Sequence, residues 1–139
     1  MDRTDSNQNS SIVERYSSGA PLEESVGYSR TVRIGPTVYV GGTTAVQTDG
    51  SVYGEQDAYA QTAYVLDRMI GFLADAGAKA EEVVRVKIFL TDVSKARECL
   101  LAYTERFGRT KPICTMVGIA SLNRPAQLVE IEIEAYSPG

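Results

Sequence analysis

The chain has no histidine, no tryptophan, only two cysteines and no long apolar run. Without histidine there is no Ser-His-Asp or Cys-His relay, and the commonest metal ligand is missing. A zinc or iron site would rest on carboxylates and lone thiols, a poor donor set. Acid–base chemistry falls to Asp, Glu, Tyr, Cys, Lys or an ordered water. Cys99 and Cys114 lack metal-ligand spacing. Nothing points to secretion, so both are read as free thiols, and neither a metal nor a cofactor is expected. No segment approaches the ~20 apolar residues that span a bilayer, so no membrane partner is expected. Basic residues are also short: 14 Lys and Arg stand against 18 Asp and Glu, for a net charge of −4. They do not cluster, which argues against nucleic-acid binding.

What is present fits one domain with one core: 139 residues, of which 43% are apolar. The first eleven residues, "MDRTDSNQNSS", are polar and carry two acids, unlike a signal peptide. They read as a disordered leader over 1–11, followed by a single domain over 12–139, with a cytoplasmic location by default.

Periodicity then gives the elements. "TVRI" and "TVYVG", at 31–34 and 37–41, alternate around Gly35-Pro36 and predict a β-hairpin. A glycine-rich loop follows, "GGTTAVQTDGSVYG", with a turn at Asp49-Gly50. From about residue 57 the period becomes helical: Thr62, Val65, Leu66, Met69, Phe72, Leu73 and Ala76 form one face, with Asp67, Arg68 and Asp75 opposite. Gly77 is placed to end this helix. "EEVVRVKIFLTDV" predicts a strand with Val84, Val86, Ile88 and Leu90 on one side. Ser94 is the expected N-cap of a second helix, whose stripe is Ala96, Cys99, Leu100, Tyr103 and Phe107 and which ends at Gly108. Two strands close the chain, "ICTMVGIA" after Pro112 and "QLVEIEIEAY". The order ββαβαββ, with a further short strand near "IVERYSS", predicts an α+β fold: a single mixed sheet with two helices on one face. The other face would be left bare. Tyr39, Phe89 and Met116 argue against a purely solvated surface there, so a closed homo-oligomer is expected.

The segments "GYSRTVRIGPTVYVGGTTA", "DAYAQTAYVLDRMIGFLADAGAKAEEVVRVKIFLTDV" and "KPICTMVGIASLNRPAQLVEIEIEAY" resemble the Rid (YjgF-like, reactive-intermediate deaminase) family. The likeness runs over about residues 12 to 136. It implies a chorismate-mutase-like fold and a homotrimer with small-molecule ligand clefts between subunits. It also implies, for active members, hydrolysis of 2-imino acids or enamines to 2-keto acids and ammonia. Residue by residue, Tyr28 corresponds to the tyrosine lining the cleft, and Gly42 to a cleft glycine, here followed by Thr43. Glu130 corresponds to the glutamate that positions water, with Glu132 as competitor.

Two positions depart from the family. Its Pro-Ala-Arg, whose guanidinium grips the substrate carboxylate, is here Pro112-Ile113-Cys114. A helical Asn of the deaminases is here Leu101. Charge-assisted hydrogen bonds contribute roughly 1.5–3 kcal/mol each, so losing the clamp costs about ten- to hundredfold in recognition. Arg15, Arg30, Arg109 and Arg124 are the other guanidiniums weighed for the role. Cys114, with no histidine to activate it, reads as an inert side chain lining the cleft rather than a nucleophile. Three outcomes stay open: a small-metabolite binder or hydrolase diverged from imine deamination, a deaminase using another basic residue, and a non-catalytic ligand-binding trimer. Whether the chain is an enzyme is left open as well.

Overall fold

The structure, a computed structural model, describes residues 12–139, so the expected leader over 1–11 lies outside the described residues. The strands are β1 (Val13–Tyr16), β2 (Thr31–Ile34), β3 (Thr37–Thr43), β4 (Val83–Leu90), β5 (Ile113–Gly118) and β6 (Val129–Tyr136). Two helices, α1 (Ala58–Asp75) and α2 (Ala96–Phe107), are joined by short 3-10 turns to β4. One mixed sheet holds all six strands in the order β1-β2-β3-β6-β4-β5. Its pairings are antiparallel except β4 with β5. The fold is therefore the predicted α+β arrangement, with β1 in the place of "IVERYSS".

The core lies between the helices and one sheet face. Val129, Ile131, Ile133 and Ala135 of β6 are fully buried or nearly so, facing Val65, Leu66, Met69 and Leu73 of α1. Alternation at period two and recurrence at 3.6 put these residues on matching faces. Asp57 caps α1, accepting from the Ala60 amide, and Gly77 ends it with φ +82°, a conformation glycine adopts without strain.

Four expectations need correction. Val84 does not share the buried face of β4: a bulge between Val83 and Arg85 turns it outward, 46% exposed, and Val83 is buried instead. Ser94 is not the N-cap. Asp92 accepts from the Ser94 amide and hydroxyl, and a 3-10 turn over Val93–Lys95 leads into α2. Leu100 lies outside the α2 stripe and Ala102 takes the buried place: the face that meets the core carries Cys99, Ala102, Tyr103 and Phe107, at i, i+3, i+4 and i+8. Met116 pairs with buried Ile88 and packs against the core, so it belongs to the covered face, not the bare one.

Candidate functional site

A cleft of about 730 Å³ opens where the sheet's bare side meets three loops. One wall is made by β3 and β6. Val40 pairs with Ile133 and Thr43 with Ile131, so Gly41 and Gly42 together oppose one residue, Glu132. This bulge turns Gly42 toward Glu130. A methyl group on Gly42 would stand 2.6 Å from Glu130 Oε2, closer than a Cβ can sit. The glycine is thus needed for the carboxylate to lie where it does. Glu130 is half-buried, and loss of solvent raises its carboxyl above the ordinary value. The neighbouring charge of Glu132 adds to the rise and that of Arg30 opposes it.

Tyr28, Gly42, Thr43 and Glu130 all line this cleft. Glu132 does not: it lines a shallow depression of about 230 Å³ farther along the bare face, with Arg85, Lys87 and Glu134. Leu101 and Cys114 lie elsewhere on the chain's surface. Leu101 is 56% exposed on α2. Cys114 pairs with Val86 and so points to the helix side, near the Tyr103 hydroxyl, which donates to the Pro112 carbonyl at 3.4 Å. Solvent reaches Cys114, but the sulfur is partly shielded, and this shielding pushes the thiol up against the opposing effect of the Tyr103 hydroxyl. Burial and the same thiol push the Tyr103 phenol up to about 12.

The charge in the cleft comes from residues that the sequence left scattered. Arg30, Arg68 and Arg124 line it, and Glu130 is its one lining carboxylate among the described residues. Arg30 is largely consumed: its Nε donates to Glu23 Oε2 at 3.2 Å, and its Nη1 donates to the Gly42 carbonyl. Its guanidinium also sits 5.5 Å over the Tyr28 ring. Glu23 is the hub behind it. Burial alone would raise this carboxyl, but Ser17, both Ser18 donors and the charge of Arg30 hold it below the ordinary range. Arg68, expected on the outer face of α1, instead donates to the carbonyls of Thr44 and Val46 and is half-buried between Tyr64 and Phe72. Burial, with the like charge of Arg30, lowers its pKa. Arg30 and Arg124 were among the guanidiniums weighed from the sequence; Arg15 and Arg109 do not line the cleft. Glu23 and Arg68 carried no signal, since each looks like a solvated charge in its own element.

Among the described residues no group of three His, Cys, Asp or Glu side chains could hold a metal. No helix among them is long and apolar enough to cross a membrane.

A family model described as Endoribonuclease L-PSP matches residues 19–137. A Mycobacterium tuberculosis protein, Rv2704, solved as a member of the YjgF/YER057c/UK114 family, is 42% identical with a TM-score of 0.81, over 90% of this chain and 99% of that one. An uncharacterised Streptomyces coelicolor protein is 35% identical over 127 residues, 91% of this chain and 94% of its own. A RutC family protein of Pyrococcus abyssi is 28% identical over 109 residues, 78% of this chain and 85% of its own.

Proposed function

Since this chain belongs to the endoribonuclease L-PSP (YjgF/Rid) family, we propose that it binds a small metabolite in the Glu130 cleft and hydrolyses it there, having diverged from 2-imino-acid deamination. The observation that carries this reading is Glu130 itself. It is a half-buried carboxylate with a raised pKa, seated against a glycine that makes room for it, in a cleft otherwise lined by cationic charge. A carboxylate so raised is a better base than a solvated one. It takes a proton from water as the oxygen adds to an electrophilic C=N carbon. That proton passes to nitrogen to give a carbinolamine; the hydroxyl proton then moves to nitrogen as well, the C–N bond breaks as C=O forms, and the products are a carbonyl compound and ammonia. A net charge of −4 and the absence of histidine give a ribonuclease reading little support.

Divergence is located at Cys114, which cannot hold a carboxylate as the family's arginine does. The chain places Leu101 and Cys114 on a surface apart from the cleft. A ring of three copies would bring that surface of one subunit over the cleft of the next. Light scattering at micromolar concentration is expected to give about three chain masses; a clean monomer would remove the neighbour's half of the site. The activity test is ammonia release from freshly generated 2-iminopropionate, beside a family member that keeps the arginine. Weak or absent release is expected, and Cys114→Arg is expected to raise it. A rate equal to the arginine-bearing protein favours a second reading, a true imine deaminase clamped by another guanidinium. Arg124 supports that reading, because it lines the cleft and its side chain has no partner among the described residues.

A further inference from the structure

We infer that the Arg124 end of the cleft is a subsite for an anionic group, a carboxylate or a phosphate, carried by the metabolite away from its reacting carbon. The inference rests on the cleft being the ligand site, as proposed above, and narrows the class of ligand it takes.

Three arginines line one cleft of a chain whose net charge is −4. They are not equivalent. Arg30 is held by Glu23 and the Gly42 carbonyl, and Arg68 by the carbonyls of Thr44 and Val46. Both keep their charge in the cleft while part of each guanidinium, Nε and Nη1 of Arg30 and Nη1 of Arg68, is committed to its walls. Arg124 is the reverse case. Its backbone is fixed: its amide donates to Gln127 Oε1 at 2.8 Å, and its carbonyl accepts from the Gln127 amide at 3.0 Å. Gln127 is 3% exposed and donates in turn to Thr44 Oγ1 at 3.1 Å. The guanidinium at the end of this pinned loop has no side-chain partner among the described residues and reaches the turn at Gly50. An exposed fork with unspent donors, carried on a pinned backbone and lining a concave site that holds two further positive charges, suits a planar or tetrahedral oxyanion.

Size agrees with this. The open cleft of the single chain, about 730 Å³, leaves room for a ligand longer than a three-carbon imino acid beside a covering neighbour. Glu130 and Arg124 come from different walls, β6 and the loop before it. A ligand that meets both has its anionic end separated from the carbon that water attacks. The subsite also differs from the position of Cys114, which lies outside the cleft of the same chain.

The test measures binding, not turnover. Glutarate and 3-phosphonopropionate are titrated calorimetrically into the assembled protein, with the uncharged diamide of glutarate as comparison. At least one of the two anions is expected to bind tenfold or more tighter than the diamide, and the tighter one identifies carboxylate or phosphate as the group recognised. Arg124→Gln, checked for unchanged circular dichroism, is expected to remove that preference and leave diamide binding as it was. Arg124→Lys, which keeps the charge and loses the fork, is expected to fall between. Equal binding of anions and diamide by the parent protein, or an undiminished preference in Arg124→Gln, overturns the inference. Glu130→Gln is expected to retain the preference. If no variant and no parent releases ammonia from any imine while the preference holds, hydrolysis fails and the subsite stands.

Discussion

The middle of the sheet and its β5 edge treat their polar groups in opposite ways. Where β3 meets β6, Glu23, Arg30, Gly42 and Glu130 interlock: Arg30 donates to Glu23 and to the Gly42 carbonyl, and a methyl group on Gly42 would stand 2.6 Å from the Glu130 carboxylate. At the edge, β5 pairs with β4 alone and leaves its other side open, and most of its residues, Cys114 among them, are exposed. The first region is built so that few substitutions fit, and the second so that many do.

Substitutions should reproduce that gradient. The largest effect is expected from Glu23→Ala, which leaves Arg30, only 12% exposed, with two serine donors and no carboxylate. Breaking such a pair costs about 3 kcal/mol, read as a lower denaturant midpoint. The effect carries a pH signature. The folded carboxyl lies below its ordinary value near 4.5, so its contribution is complete above that pH. It is lost as pH falls toward the depressed folded value. The milder Glu23→Gln should flatten this acid limb, and an unchanged limb would mean that the pair does not hold the cleft together.

Gly42→Ala comes next. The added methyl would meet the Glu130 carboxylate, the movable end of a long side chain beside the cleft, so the carboxylate moves at a cost of about 1 kcal/mol. Ligand binding in the cleft should fall more steeply than stability. Alanine tolerated with full binding would show that Glu130 is free to swing away.

Glu130→Gln has a smaller effect and the opposite sign. The folded carboxyl is raised, so the parent loses stability as pH rises from about 4.5 through the folded value. The amide escapes that loss. Its gain over the parent should be absent in acid and present at neutral pH, while any turnover falls. A uniform loss at every pH would instead assign Glu130 a structural role.

Least is expected at the open edge. Cys114→Ser should change stability by under about 0.5 kcal/mol and leave assembly intact. Because shielding raises the thiol, alkylation at pH 7 should be slow and should accelerate only in alkali. An apparent pKa below about 7 would make Cys114 a reactive thiol and erase the contrast between the two regions.

Most of the architecture was legible in the chain. Alternation in "VEIEIEAY" marked β6 and its buried face, and the helical stripe of α1 marked the other half of the core. The misread places are Val84 at a bulge, Ser94 at a helix start, Leu100 on the flank of the α2 stripe and Met116 on an edge strand. On a strand one residue of slip reverses the facing of a side chain, and on a helix the flank of a stripe is decided by what packs beside it. The site was legible in part: Tyr28, Gly42, Thr43 and Glu130 meet in one cleft, while Leu101 and Cys114 stand apart from it.

The sequence by itself determined the element types, the core faces and the family, because periodicity and motif spacing are local properties of a chain. Only the tertiary structure decided which charges meet. Glu23 and Arg30 converge with Gly42 and Glu130 because a bulge turns one strand. Arg68 and Arg124 join them because a helix and a pinned loop close over the same space. Each of the charged residues among these is an ordinary polar side chain in its own segment. The free energy that gives it a partner or leaves it without one depends on neighbours as many as 88 positions away, such as Glu130 beside Gly42.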